Sequence, residues 1–77
     1  MEEFKNWLCE QKNYTERSAR DVCSRLKRVY LLLHKETIDK KTVDDLEIND
    51  EFKGLSMSVR SQLRKSVRLF LEYKNNK

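Results

Sequence analysis

The chain has 77 residues, of which 39% are charged, and it carries a formal net charge of +4 with a pI near 9.2. A chain of this length forms one domain and buries only about 60% of its unfolded surface, which leaves little room for an enclosed active site. It has no proline and one glycine, and its longest apolar run is five residues, which excludes a membrane span of about 20 residues. The acidic start is unlike a signal peptide, so we expect a cytoplasmic protein.

Apolar residues recur with the period of a helix along the whole chain. Four helices are predicted, at about residues 2–12, 16–35, 43–53 and 57–74. Thr15, Thr42 and Ser56 are the predicted N-caps of the last three, and Gly54 is the predicted left-handed cap that ends the third. We therefore expect a single all-α domain over residues 1–77, folded as a compact four-helix bundle.

Two long helices are predicted to supply most of the core. The inward stripe of the second helix is Ala19, Val22, Leu26, Val29, Tyr30 and Leu33, and that of the fourth is Val59, Leu63, Ser66, Val67, Phe70 and Tyr73. Leu31, Leu32 and Leu69 fall outside these stripes. Either the first helix or the chain end covers them, or they form an interface with another domain or a neighbouring protomer.

The sequence gives no pattern typical of a catalytic or metal site. Cys9, Cys23 and His34 lack the spacing of metal ligands, so we expect no metal or other cofactor, and both thiols reduced and at least partly buried. His34 lies at the end of the second predicted helix, where a solvated or helix-capping role is expected. The tyrosines have no surrounding Arg and His groups, so catalysis by this chain alone is not expected.

Charge is divided unevenly along the chain. Residues 1–35 carry a net charge of +3, residues 36–53 carry −4, and residues 54–77 carry +5. On the second helix Arg17, Arg20, Ser24, Lys27 and Arg28 project away from the apolar stripe. On the fourth helix three arginines follow each other at i, i+4 and i+8, at positions 60, 64 and 68. Like charges at this spacing destabilise a helix. We expect them to be compensated either by the residues from Asp44 to Glu51 within the acidic segment 36–53 or by an external polyanion.

The fourth predicted helix carries a further pattern, Ser56-Met-Ser-Val59-Arg-Ser-Gln-Leu63-Arg-Lys-Ser66-Val67-Arg68-Leu-Phe70-Leu-Glu-Tyr73. This resembles the last helix of the SAM-like core-binding domain of phage integrases and other tyrosine recombinases. The opening Phe4-x-x-Trp7-Leu8 and the capped Thr15-x-x-Ser18-x-x-x-Val22-x-x-x-Leu26 resemble the first two helices of that domain. The chain departs from the family at Val22, Val59 and Leu71, and its third helix is short.

The resemblance implies a SAM-like orthogonal bundle that clamps duplex DNA at recombination half-sites, while a separate C-terminal catalytic domain cleaves the strands. Its partners would be DNA, that domain and neighbouring protomers on the DNA, with no membrane, and the isolated domain would be monomeric. The resemblance marks Thr15, Arg17, Arg20, Ser24, Ser58, Ser61, Arg64 and Lys65 as DNA contacts. The charge pattern adds Lys27, Arg28, Arg60 and Arg68, although Arg68 could instead brace the acidic third helix.

Two other functions fit the same residues. One is a small helical adaptor whose basic face docks an acidic protein partner. The other is a free-standing helix-turn-helix regulator, for which the only short turn before a recognition helix would be Gly54-Leu55-Ser56. Loss of duplex affinity with rising salt distinguishes DNA binding from the adaptor, because each phosphate contact contributes about −0.9 to the log–log slope.

Overall fold

The computed structural model describes residues 1–76, and within them it contains five α-helices and no strand. The helices are α1 (Glu2–Gln11), α2 (Glu16–Leu33), α3 (Thr42–Ile48), α4 (Asp50–Lys53) and α5 (Met57–Asn75). The all-α prediction is therefore confirmed. The Cα radius of gyration is 12.1 Å, close to the value of about 11–12 Å for a folded domain of this length. Among the described helices none is long and apolar enough to cross a membrane.

Local capping sets the limits of α2. Thr15 is extended (φ −71°, ψ 159°), and its Oγ1 accepts a hydrogen bond from the backbone N–H of Ser18 at 3.1 Å, as the sequence predicts. At the other end, His34 adopts the left-handed conformation (φ 52°) and its N–H bonds to the carbonyl of Tyr30. The helix thus ends at Leu33, earlier than the predicted Lys35, and His34 is an exposed C-cap residue.

The predicted third helix is in fact two short helices, so the four-helix count was wrong. Asn49 separates α3 from α4 with an extended backbone (φ −78°, ψ 125°). Its side-chain Oδ1 accepts from the N–H of Phe52 at 2.9 Å, and its Nδ2 donates to the carbonyl of Leu32 at 3.2 Å. An asparagine that caps the following turn competes with continuation of the preceding helix, which explains the break.

Two predicted caps in this region were also wrong. Thr42 is the first residue inside α3 and is fully buried, and its Oγ1 accepts from the N–H of Asp39 at 2.9 Å. Its hydroxyl therefore fixes the preceding turn, while Lys41 occupies the N-cap position without a side-chain hydrogen bond. Gly54 is right-handed (φ −78°, ψ −8°), and its N–H bonds to the carbonyl of Asp50 at 3.2 Å, so no left-handed cap is needed there.

The predicted stripes of α2 and α5 form the core, and α1 packs its aromatic residues against them. The rings of Phe4 and Phe70 meet edge to face with centroids 5.1 Å apart, and Trp7 contacts Tyr73 with centroids 5.6 Å apart. Ile38, in the connection between the second and third predicted helices, is also buried in this core. Leu32 and Leu69 pack partly against the core, whereas Leu31 is 75% exposed.

The two cysteines are unlinked, as expected. Cys23 is buried within α2 and Cys9 is partly buried on α1. Burial raises the pKa of the Cys23 thiol, and the positive charges of the N-terminus and Lys27 oppose that rise. Cys23 therefore stays a thiol at neutral pH and serves as a small apolar side chain in the core.

Candidate nucleic-acid interface

The exposed face of α2 is the largest group of predicted site residues that point to solvent. We call Arg17, Arg20, Ser24, Lys27 and Arg28 the α2 face; all five are exposed. They occupy the side of the helix opposite the buried stripe, because about 3.6 residues make each turn. Among residues 1–76, Arg17, Lys27 and Arg28 form no ion pair and no hydrogen bond with another side chain.

Arg20 is the exception on the α2 face. Its Nη2 donates to Glu16 Oε1 at 2.9 Å, one turn earlier on the same helix. Both side chains are about two-thirds exposed, so this is a surface ion pair at i, i+4 spacing. A surface pair of this kind is weak and exchanges readily for another anion, so Arg20 remains accessible to a phosphate.

A shallow depression beside the N-terminal half of α2 brings residues of α2 and α5 together. Thr15, Ser18 and Arg25 line it from the α2 side, and Lys65 lines it from α5. Thr15 and Lys65 were predicted as DNA contacts from two different helices, and the fold places them around one concavity. The side chains that surround it include hydroxyl donors, positive charges and one carboxylate, Asp21. The hydroxyls and cations among them suit phosphate oxygens.

Two members of this depression, Lys12 and Arg25, were missed as site residues by the sequence analysis. Arg25 follows Ser18 by seven residues, two turns along the helix, so the helical period contained a usable signal for it. Lys12 lies just after α1, where no periodic pattern applies. Its Nζ bonds to Glu72 Oε1 at 2.5 Å and lies 5.7 Å from the centre of the Trp7 ring.

The three arginines of α5 form a second, separate basic group. We call Arg60, Arg64 and Arg68 the arginine ladder; their spacing predicts a rise of about 6 Å between neighbours. Arg64 donates two hydrogen bonds to Glu47 of α3, from Nε to Oε1 at 2.5 Å and from Nη2 to Oε2 at 3.2 Å. Its guanidinium carbon lies 5.3 Å from the centre of the Phe52 ring. The acidic segment thus compensates the ladder at Arg64.

This one carboxylate neutralises only part of the positive charge of the ladder and leaves one of its buried donors without a hydrogen bond. The hydrogen bonds from Arg64 lower the pKa of Glu47, and the charges of Arg60 and Arg68 lower that pKa further, against the opposing effect of partial burial. All three arginines therefore act on one carboxylate. Arg60 Nε is buried and has no hydrogen-bond partner within the described residues, which is unusual for a buried donor. Arg68 is exposed.

Ser58 and Ser61 complete the predicted set on α5. Both are exposed in the first turns of the helix. The start of α5 is fixed by Ser56, whose Oγ accepts from the N–H of Val59 at 3.3 Å, so the predicted cap is confirmed. A fixed helix start presents these hydroxyls at defined positions, as contacts that orient a nucleic-acid backbone require.

Apart from Ser58 and Ser61 at the start of α5, the predicted residues fall into three places: the α2 face, the depression shared by Thr15 and Lys65, and the arginine ladder beside α3. Comparison with known proteins adds no further assignment, since no protein family, curated protein or solved structure matches this chain.

Proposed function

We propose that this protein binds duplex DNA, with the α2 face and the adjoining depression as the contact surface. The observation that carries the proposal is the group of unpaired exposed cations, Arg17, Lys27 and Arg28, on one side of one helix. Seven of the thirteen acidic residues lie elsewhere, in residues 36–53, and α2 carries two, Glu16 and Asp21. A stripe of unpaired Arg and Lys along one helix is the electrostatic pattern typical of a nucleic-acid contact.

The mechanism follows from the polyelectrolyte character of DNA. Arginine and lysine side chains that neutralise backbone phosphates release condensed counterions, which supplies most of the binding free energy. The hydroxyls of Thr15, Ser24 and Ser61 would add neutral contacts that fix the orientation of the domain. An isolated domain of this kind is expected to bind with a dissociation constant of about 10⁻⁴–10⁻⁶ M.

The more specific proposal is that the chain is the core-binding module of a tyrosine recombinase. It is supported by the order and spacing of the motifs on α1, α2 and α5, and by the exposure of Arg17, Arg20, Ser24, Ser58 and Ser61 where the resemblance implies DNA contacts. It predicts that the natural reading frame continues for roughly 150 or more residues with an Arg, a His-x-x-Arg and a Tyr. A reading frame without them removes the recombinase assignment and leaves the DNA-binding proposal in place.

The decisive experiment compares two triple variants of equal charge. The first replaces Arg17, Lys27 and Arg28 with alanine, and the control replaces Lys40, Lys41 and Lys53, which are exposed in the acidic segment. Affinity for a duplex of about 20 base pairs is measured between 50 and 200 mM salt, a range in which phosphate contacts change affinity steeply. Removing three phosphate contacts should weaken binding about 100-fold and reduce the log–log salt slope by about 2.7.

The control variant separates a local contact from the effect of net charge. It should bind within about threefold of the wild type, because its lysines lie among carboxylates rather than on the contact surface. Equal weakening by both triple variants contradicts the proposed surface. Absence of duplex binding by the wild type at 50 mM salt contradicts the proposed function and favours the adaptor.

A further inference from the structure

We propose that the arginine ladder is a phosphate-binding site, and that the carboxylate of Glu47 occupies it in the free protein. The site lies between α3 and the middle of α5, apart from the α2 face and the depression. It does not depend on DNA binding, because an isolated phosphate group satisfies the same chemistry. The ligand class is a phosphate group, whether free or part of a nucleic-acid backbone.

The geometry at Arg64 suits a phosphate group. Two nitrogens of its guanidinium meet the two oxygens of Glu47, and this fork matches phosphate as well as it matches carboxylate. The ring of Phe52 lies beside the guanidinium at 5.3 Å and helps to fix its orientation. The arginine is therefore held ready for a planar pair of acceptor oxygens.

The balance of charge also favours a phosphate. Glu47 forms its ion pair with Arg64, while the positive charges of Arg60 and Arg68 act on the same carboxylate from beyond ion-pair distance. A phosphate monoester carries about −1.5 to −2 charges near neutral pH and three acceptor oxygens. It would neutralise the ladder more fully than Glu47 does.

The Nε of Arg60 is a buried donor in the same ladder. It has no hydrogen-bond partner within residues 1–76, and a buried donor without a partner destabilises the fold. Glu47 has two oxygens, and Arg64 engages both. A tetrahedral group with a third oxygen offers an acceptor that the carboxylate lacks. Access to the contact between Glu47 and Arg64 is open, because the Glu47 side chain is 46% exposed.

The test titrates inorganic phosphate into the wild type, into Glu47→Gln and into Glu51→Gln, following the arginine Nε–H signals by NMR. Glu51 is exposed on α4 and forms no ion pair in the described chain, so its variant matches the charge change without touching the ladder. Without competition from a charged partner, Glu47→Gln should bind phosphate about tenfold more tightly than the other two proteins. The signals that move should be those of Arg60 and Arg64.

A measurement on the wild type keeps the test independent of any variant. At high phosphate concentration the Glu47 carboxyl carbon signal should shift to that of a released, solvated glutamate. Shifts at Arg60 and Arg64 that are the same in all three proteins, or shifts confined to other arginines, overturn the proposal. So does a Glu47 signal that is unmoved while phosphate binds.

A parallel titration with the duplex distinguishes the two sources of phosphate. If Glu47→Gln binds both the duplex and inorganic phosphate more tightly, the ladder binds backbone phosphates. If only its affinity for inorganic phosphate increases, the ladder binds free phosphate. Both results support the site. Failure of duplex binding with phosphate binding intact removes the proposed function alone. Failure of phosphate binding with duplex binding intact removes the site alone.

Discussion

The α2 face and the arginine ladder are both rows of basic residues on long helices, but they are neutralised differently. Arg17, Lys27 and Arg28 on α2 form no ion pair among the described residues, whereas Arg64 is held by Glu47 from another helix. The difference arises because α3, with its acidic residues, contacts both α5 and α2 but leaves the outer side of α2 exposed. A basic pattern in a sequence therefore predicts how much positive charge a helix carries. Only the fold shows how much of that charge is left without an ion-pair partner and is available to bind an anion.

The comparison also assigns different roles to the two groups. Unpaired exposed cations retain their attraction for a polyanion and lose it gradually as salt rises. A cation that already has a carboxylate partner must release it first, so its contribution to binding is the difference between two ion pairs. We therefore expect the α2 face to supply affinity and the ladder to supply discrimination among anions.

The largest expected effect is a loss of unfolding free energy when a buried residue of the acidic segment, which also supplies Glu47, is truncated. Phe52 is 1% exposed in the core and lies under Arg64. Because truncation of a buried phenylalanine typically costs about 3–5 kcal/mol, Phe52→Ala should lose that much unfolding free energy, measured by urea denaturation. Ile48→Ala, on the same segment but 73% exposed, should stay within about 0.5 kcal/mol of the wild type.

This pair of variants tests whether apolar burial, rather than the ion pair, fixes the acidic segment against α5. A loss below about 1 kcal/mol in Phe52→Ala would mean that α4 does not contribute to the core as described. α4 would then not provide a rigid neighbour for Arg64, and the ladder would no longer differ from the α2 face in how firmly its cations are held.

Sequence patterns were sufficient for the two long helices and insufficient between them. Thr15 and Ser56 are local caps, and the stripes of α2 and α5 repeat over several turns, so both signals are contained in neighbouring residues. The division at Asn49 depends on a hydrogen bond to Leu32, seventeen positions away. The burial of Ile38 depends on packing that cannot be predicted from the polar residues around it.

The candidate site shows the same division. Exposure of the α2 face follows from the helical period and was predictable. The choice between the acidic segment and an external polyanion as partner of the ladder was left open by the sequence. It is decided for Arg64 by the way α3 packs, because Glu47 lies far from Arg64 along the chain.

The intermediate effect is the titration of Glu47, which measures how strongly the ladder holds its carboxylate. Hydrogen bonds from Arg64 lower the pKa of Glu47 in the folded protein. The pair therefore stabilises the fold above the unfolded pKa of about 4.3, and this contribution is lost as pH falls through the lower folded pKa. By carbon-detected NMR, Glu47 should titrate below the usual glutamate range, and Arg64→Gln should move it upward. An unchanged midpoint in the variant would show that Arg64 is not the cause.

The smallest expected effect tests the one ion pair on the α2 face. Arg20 and Glu16 are 2.9 Å apart and both exposed, so we expect a coupling energy of only about 0.2–0.5 kcal/mol. Glu16 also lies 3.7 Å from Lys5, so a single Glu16→Gln variant would report two interactions at once. A double-mutant cycle of Glu16→Gln and Arg20→Gln isolates the pair.

The cycle is read from urea denaturation at low and high salt. Because both partners are solvated, added salt should reduce the coupling further. A coupling above about 1 kcal/mol, or one that resists salt, would mean that Arg20 is held as firmly as Arg64 is expected to be. The α2 face would then resemble the ladder, with a cation that must release its carboxylate before it meets a phosphate. A small, salt-sensitive coupling leaves Arg20 available, so that the whole α2 face acts as one unneutralised surface.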